Sequence, residues 1–408
     1  MSTLAGLSTE VRQYLIVTGN YWAFTLTDGA LRMLVVLHFH GLGYSPLEVA
    51  MLFLFYEIFG VVTNLLGGWL GARVGLNTTM NVGLVLQVLA LSMLLVPDST
   101  LSVIWVMSAQ ALSGIAKDLN KMSAKSAIKV LVPADAEGTL YKWVAILTGS
   151  KNALKGVGVF LGGVLLTTWG FRAAIEIMAS TLAIVWLFSI FNLKRDLGKA
   201  SIKPKFSHLF SKSRAVNCLS AARLFLFSAR DVWFVVALPV YLSSTMNWSH
   251  WAVGAFLASW VIGYGIVQSV APRFTGGRGG GVPDGSTAYK WAAALSLAPA
   301  LIAITMAMGV AVQFSLLLGL LIFGVLFAVN SALHSYLIVS YAQADGVSLD
   351  VGFYYMANAL GRLLGTVLSG WVYQQYGLTA CLWISTLFIA FAALLSLGLP
   401  KHQASNDA

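Results

Sequence analysis

The sequence predicts an all-α polytopic membrane protein with twelve transmembrane helices. Of its 408 residues, 58% are hydrophobic and only 10% are charged, and the mean hydropathy is +0.80. A soluble core does not need so much apolar surface. Segments long enough to cross a hydrocarbon core of ~30 Å lie at 14–40, 46–72, 77–96, 101–131, 138–168, 171–193, 216–242, 249–272, 287–309, 313–342, 347–376 and 378–399.

Lysine and arginine are distributed unequally between the connections of these spans. On one side, the connections at 73–76, 132–137, 194–215 and 273–286 together carry Arg73, the basic cluster at 194–215, Arg273 and Arg278, whereas the connections on the opposite side carry no lysine or arginine. Because positive loops stay in the cytoplasm, we expect both termini there. The bases behind the net charge of +10 lie partly in the cytoplasmic loops and partly in the membrane-spanning segments. We therefore expect no nucleic-acid partner.

The segment Lys194–Ala215 holds seven bases against one acid, Asp196. We interpret it as a solvated cytoplasmic linker; a regulatory or lipid-binding segment is the alternative. It divides the chain into a six-helix half at 1–193, the linker at 194–215 and a six-helix half at 216–408.

An internal repeat supports the two halves. A shift of 207 residues superposes Lys155, Gly158, Gly163 and Gly170 on Arg362, Gly365, Gly370 and Gly377. Two six-helix pseudo-symmetric halves joined by a long linker resemble the layout of the major facilitator superfamily.

Charged residues at membrane depth are costly, at least ~2.5 kcal/mol for each cation, so they indicate function. The bases at this depth are Arg32, Lys117, Lys121, Lys151, Lys155, Arg230 and Arg362. The acids, which we expect to couple or balance charge, are Asp28, Glu57, Asp118 and Asp231. Seven bases against four acids leave three positive charges in excess. We therefore predict an aqueous central cavity that binds an anion.

The lysines 117, 121, 125 and 129 recur every fourth residue and share one helix face. We predict that Lys125 and Lys129 snorkel to phosphate headgroups and that Asp28 pairs with Arg32. Asp231 beside Arg230 fits either a structural salt bridge or a functional role. The candidate cavity-lining residues are Tyr56, Asn330, His334, Tyr355 and Asn358. For His334 we favour a hydrogen-bonded interior histidine over a proton carrier.

Enzyme functions are disfavoured. The sequence has no Walker loop or dinucleotide-binding turn, and its six histidines are scattered. We expect no enzymatic activity, no cofactor and no metal site, and therefore secondary transport.

Three segments resemble the ArsJ family of major facilitator permeases, which export organoarsenicals. They are the stretches at 20–32 (NYWAFTLTDGALR), 111–125 (ALSGIAKDLNKMSAK) and 149–156 (GSKNALKG). The resemblance implies efflux of 1-arseno-3-phosphoglycerate across a bacterial inner membrane, and hence arsenate resistance. It also implies a partner glyceraldehyde-3-phosphate dehydrogenase that makes this cargo.

The charge pattern fits such a cargo, whose phosphate and arsenate groups carry about three negative charges. We expect the lysines of the first half to hold one end, and Arg362 with Arg230 the other. The chain lacks the neighbouring thiols that trivalent arsenic would need. Two alternatives stay open: a carrier of another organic anion, such as an organophosphate or drug, and a membrane anion sensor. We expect a monomer.

Overall fold

The computed structural model describes residues 8–43, 52–97, 100–133, 135–194, 197–201, 203–210, 213–276, 282–309 and 311–401. Every regular element in these ranges is helical, as the sequence predicts. The helices are α1 (Thr9–Gly41), α2 (Leu54–Val74), α3 (Leu76–Met93), α4 (Val103–Leu131), α5 (Glu137–Asn192), α6 (Arg214–Phe234), α7 (Ala237–Ser244), α8 (His250–Val270), α9 (Pro272–Thr275), α10 (Gly285–Ala307), α11 (Val312–Tyr341) and α12 (Val347–Ser396).

Seven helical stretches in the described part of the chain are long and apolar enough to cross a membrane. They are α3, α5, the α6–α7 stretch, α8, α10, α11 and α12. α5 has 56 residues and α12 has 50, each more than twice the ~20 residues that one crossing needs. With α5 and α12 counted as two crossings each, and with α1, α2 and α4 added, the described helices match the twelve predicted spans.

α5 and α12 each contain a sharp break at a glycine. Gly170 has φ 77° and ψ 174°, and Gly377 has φ 76° and ψ −177°. This backbone conformation is essentially restricted to glycine because a Cβ atom would clash. The two glycines are one pair of the predicted 207-residue repeat, so both repeats make the same turn at the same place.

We expect Gly170→Ala and Gly377→Ala each to lower the free energy of unfolding by about 1–3 kcal/mol, because alanine strains this backbone conformation. The helical Gly163 and Gly370 are matched controls, since no atom lies within 4 Å of an added Cβ at either. Their alanine variants should keep or gain up to ~1 kcal/mol. Chemical denaturation of the purified protein in detergent measures all four, and equal losses at all four positions would contradict the expectation.

The described helices form two compact units. Unit 1 comprises Met1–Ala136, Ser150–Phe210 and Ala342–Met356, and unit 2 comprises Glu137–Gly149, Ser211–Tyr341 and Ala357–Ala408. The domain boundaries predicted from the sequence, 1–193, 194–215 and 216–408, stay a prediction.

In unit 1, α1 and α5 pack backbone to backbone at glycines. A Cβ atom on Gly158 would lie 2.6 Å from the carbonyl oxygen of Leu26, and one on Gly29 would lie 2.8 Å from that of Lys155. Small residues at an interface let membrane helices approach this closely. The contact fixes the turn of α5 that carries Lys155 against α1.

The linker is anchored to α2 where the structure describes it. The Ala200 N–H donates to the carbonyl oxygen of Ala72 at 2.8 Å, and the Trp69 indole N–H donates to that of Pro204 at 3.0 Å. Lys203 is exposed to solvent, as predicted. The segment is nevertheless not a loose connector, because its backbone is hydrogen-bonded to a helix end.

The core of unit 2 is aromatic. The Trp233 ring lies 5.0 Å from Phe323 and 6.1 Å from Trp260, both edge to face. α6 ends next to this core, and the chain is not helical at Val235 and Val236 before α7 begins. Pro239 explains the break, because its ring would clash with the carbonyl of Val235 in a continuous helix.

Candidate functional site

Asp118 binds two lysines of its own helix, α4, in unit 1. The Lys121 Nζ lies 2.6 Å from Oδ1 of Asp118, and the Lys117 Nζ lies 4.0 Å from Oδ2. The Asp118 side chain is 1% exposed, and α2 approaches so closely that a Cβ on Gly60 would lie 3.1 Å from Oδ2. A carboxylate carries one charge, so it neutralises at most one of the two ammonium groups.

Tyr56 of α2 connects this pair of lysines to α1. Its hydroxyl donates a hydrogen bond to Oδ1 of Asp28 at 2.7 Å. The centroid of its ring lies 3.8 Å from the Lys117 Nζ and 4.3 Å from Cζ of Arg32, both within cation–π distance. Tyr56 is fully buried, so its ring is part of the wall that holds two cations. The side chain of Glu57 lies outside the described residues.

A second tyrosine, Tyr355 of α12, contacts Lys121 and the following lysine of the series, Lys125. The Nζ atoms of Lys121 and Lys125 lie 4.7 Å and 4.9 Å from its ring centroid. Lys125 is 3% exposed, so the predicted snorkelling of Lys125 to headgroups is wrong: an aromatic partner holds it inside. Lys129 lies half-buried in the last turn of α4, where a cation is favoured, and its snorkelling stays a prediction.

Lys151 and Lys155 are half-buried on α5 in the same unit. The Lys151 Nζ donates to Oδ1 of Asn152 at 3.3 Å. Lys155 lies in the turn of α5 that packs on Gly29. Their predicted role in cargo binding stays a prediction.

In unit 2, Asp231 is likewise shared by two cations. Its Oδ1 accepts from Nε of Arg230 at 2.6 Å, and its Oδ2 accepts from Nε of Arg362 at 3.3 Å. Asp231 is 1% exposed, Arg230 is 16% exposed and Arg362 is 36% exposed. The Arg230 guanidinium also lies over the rings of Phe227 and Phe327, at 4.9 Å and 5.4 Å. The salt bridge between Arg230 and Asp231, one of the two possibilities that the sequence leaves open, is present, and Arg362 joins it.

Arg223 of α6 was not among the predicted site residues, although it is only 3% exposed. Its Nε donates to Oδ1 of Asn358 at 2.9 Å, and its Nη1 donates to the Ser331 hydroxyl at 3.2 Å. The sequence does contain a signal: Arg223 precedes Arg230 by seven residues, which places both on one face of α6. Asn358, a predicted lining residue, therefore contacts a cation.

The two predicted residues of α11 are both fully buried. The Asn330 amide donates to the carbonyl oxygens of Trp291 and Leu326, each at 2.9 Å, which ties α11 to α10. Neither ring nitrogen of His334 has a hydrogen-bond partner among the described residues. The prediction of an interior histidine is confirmed, and the prediction that it is hydrogen-bonded is wrong.

Each unit therefore contains one buried aspartate between two cations, supported by aromatic rings. The cations of both clusters lie on helices that the sequence places in the membrane, where charged groups are costly and therefore indicate function. Lysine offers a compact point charge and arginine a planar fork of donors, and both bind oxyanions. The chemistry of both clusters suits a negatively charged ligand.

The sequence matches the family described as Major Facilitator Superfamily over residues 14–283, about two thirds of the chain. The chain belongs to the Major Facilitator Superfamily. This superfamily member is thus a multi-pass membrane protein with a transporter fold. A comparison of its sequence with curated proteins finds no match.

Solved structures of major facilitator proteins share this fold along nearly the whole chain. The human organic anion transporter MFSD10 is 17% identical, with a TM-score of 0.74 over 96% of this chain and 100% of that one. The E. coli fucose:proton symporter FucP is 11% identical, with a TM-score of 0.73 over 96% and 99%. A bacterial homologue of the iron transporter ferroportin in an outward-facing state is 14% identical, with a TM-score of 0.72 over 96% and 99%. At such identities the likeness concerns the fold alone.

Proposed function

We propose that this protein is a secondary active exporter of an anionic organoarsenical, 1-arseno-3-phosphoglycerate, and that it works by alternating access. The observation that carries the proposal is the sharing of Asp118 and Asp231, each between two cations. The sequence predicts seven bases against four acids at membrane depth, and such an excess of positive charge is expensive. A multiply negative cargo balances that charge when it binds. Release of the cargo leaves the site able to bind the next one.

The chemistry of the cargo matches the residue types. Its phosphate and arsenate ends carry about three negative charges between them. Lys117 and Lys121 in unit 1 supply point charges, whereas Arg230 and Arg362 in unit 2 supply planar forks that grip an oxyanion with two parallel hydrogen bonds. The rings of Tyr56 and Tyr355 hold the lysines without neutralising them.

The cellular setting follows from the ArsJ resemblance. A glyceraldehyde-3-phosphate dehydrogenase makes the cargo from arsenate in the cytoplasm, and the exporter removes it across the bacterial inner membrane. The protein itself catalyses no reaction, needs no cofactor and works as a monomer with both termini in the cytoplasm. Efflux of this unstable compound confers arsenate resistance.

The first experiment measures arsenate resistance in an arsenate-sensitive bacterial strain, with and without the dehydrogenase. Resistance should need both proteins. The Lys117→Ala and Lys155→Ala variants should reach the membrane but lose arsenate resistance. The exposed linker variant Lys203→Ala should keep resistance. Full resistance in both cavity variants would overturn the assignment of these lysines.

Another organic anion, such as an organophosphate or a drug, is the main alternative cargo, because the same fold occurs in transporters of different substrates. Resistance that does not depend on the dehydrogenase would favour it. An anion sensor is the third candidate. Everted vesicles separate the last two, since a transporter accumulates labelled anion in the vesicle lumen and a sensor only binds it.

A further inference from the structure

A buried polar cluster surrounds Arg223 in unit 2, apart from the carboxylate of Asp231. In addition to its bonds to Asn358 and Ser331, the Arg223 guanidinium lies 3.8 Å from the ring centroid of Phe227. Gln268 of α8 donates to the same Ser331 hydroxyl at 3.0 Å. Residues of α11 and α12 thus bind Arg223 directly, and α8 supports it through Ser331.

Two further polar groups lie beside this arginine by helix register. α6 and α11 run antiparallel: Phe227 packs on Phe327 at 5.2 Å, and one turn further Arg223 bonds to Ser331. The next pair in the same register is Ser220, three residues before Arg223, with His334, three residues after Ser331. Residues three apart share a helix face, so this register predicts that Ser220 and His334 face each other next to Arg223.

Both of these groups are polar and buried. Ser220 is 2% exposed and His334 is 0% exposed, and neither the Ser220 hydroxyl nor either His334 ring nitrogen has a hydrogen-bond partner in the part of the chain described. Polar atoms left unpaired in an apolar interior cost free energy, so natural proteins rarely keep them without a reason. A ligand that accepts hydrogen bonds would remove this cost.

The chemistry of the cluster favours an anion over a neutral ligand. The acceptor atoms nearest to Arg223, Oδ1 of Asn358 and the Ser331 hydroxyl, already receive its hydrogen bonds. The groups that remain to be satisfied are the Ser220 hydroxyl and the two ring nitrogens of His334, at least one of which carries a hydrogen, so both residues can donate a hydrogen bond. Donors around a guanidinium match the oxygens of a phosphate-like group.

We propose that Arg223, Ser220 and His334 form a second oxyanion subsite, which receives the phosphate end of the cargo. The inference rests on the proposed function for the identity of that cargo. Arg223 and Arg230 are seven residues apart, about 10 Å along the helix axis. Arg223 is nearer to the end of α6 that follows the basic linker. It is therefore the subsite that cargo from the cytoplasm meets first, before it reaches Arg230.

The test uses the full-length protein purified in detergent, with inorganic phosphate as the probe and equilibrium binding as the readout. Arg223→Gln should lower the phosphate affinity by about tenfold or more, as expected for loss of a charge-assisted hydrogen bond. Arg214→Gln, on the exposed first turn of the same helix, is the matched control and should bind as the wild type does. An unchanged affinity in Arg223→Gln would overturn the proposal.

Two uncharged variants decide the question if Arg223→Gln does not fold. Ser220→Ala and His334→Leu each remove a group that has no partner among the described residues, so neither should lower the melting temperature without phosphate. Both should nevertheless weaken phosphate binding several-fold. A purely structural role would not give an unchanged melting temperature together with weaker phosphate binding. An unchanged phosphate affinity in both variants, as expected if only water occupies the site, would refute the proposal.

Failure of this inference is distinguishable from failure of the proposed function. If the wild type does not export the organoarsenical but its phosphate affinity depends on Arg223, the cargo is wrong and the subsite stands. If export is observed but phosphate affinity is independent of Arg223, Ser220 and His334, the subsite is wrong and the proposed function stands.

Discussion

Lys121→Met should lower the free energy of unfolding by about 3–5 kcal/mol, because it leaves a buried carboxylate without its closest cation. Asp118 is 1% exposed, and its Oδ2 has no hydrogen-bond partner among the described residues. After the substitution, the Lys117 ammonium group still lies 4.0 Å from the Asp118 carboxylate. Denaturant unfolding of the purified protein measures the loss. Lys117→Met is the comparison and should cost less, since it leaves the 2.6 Å pair intact.

The double variant Lys121→Met/Asp118→Leu should recover most of that stability. Replacing both members of a buried ion pair by apolar side chains is often neutral or stabilising, because no charge stays buried and unpaired. Arsenate resistance should not recover, since the cation that we assign to the cargo is still missing. A single Lys121→Met variant as stable as the wild type would show that Asp118 does not depend on this lysine.

The helices were predictable from the sequence because a transmembrane helix is determined locally. An uninterrupted apolar run of about 20 residues has few alternatives in a bilayer, where each backbone group must be paired within its own segment. The breaks were predictable for the same reason. Gly170 and Gly377 are separated by the repeat distance, and each takes a conformation that other residues avoid.

The charged residues of the candidate site stand out in the sequence, but most of their partners do not. Any base at membrane depth stands out because of its cost. The tyrosine that holds Lys125 is 230 residues further along the chain, at position 355, and no periodicity within α4 reveals such a contact. The same applies to the bond between Tyr56 and Asp28, which depends on how α1 and α2 pack.

Arg223 was missed for a related reason. Its position in α6 does not reveal its partners, and its burial becomes visible only when α8, α11 and α12 are in place around it. The linker was underestimated in the same way. Its composition indicates a solvated segment, whereas the hydrogen bond between Trp69 and Pro204 is a property of the folded chain.

Variants of Asp231 and Arg362 should separate stability from transport. Asp231→Asn removes the charge that both guanidinium groups share, so we expect a loss of about 3–5 kcal/mol in unfolding free energy together with loss of resistance. Arg362→Gln should behave differently. Asp231 keeps its bond to Arg230 at 2.6 Å, and Arg362 is 36% exposed, so the folded protein should persist while transport is lost.

Arg362→Lys identifies which property of the arginine matters. If Arg362 grips an oxyanion with its planar fork, lysine keeps the charge but loses the two parallel hydrogen bonds, and transport should recover only in part. If charge alone matters, lysine should restore transport fully. Lys290→Gln, exposed on α10, is the matched control for loss of a base. Uptake of labelled cargo into everted vesicles, normalised to the amount of folded protein, measures each variant. Wild-type uptake by Arg362→Gln would remove Arg362 from the site and leave Arg230 as the cation beside Asp231 that can still bind the cargo.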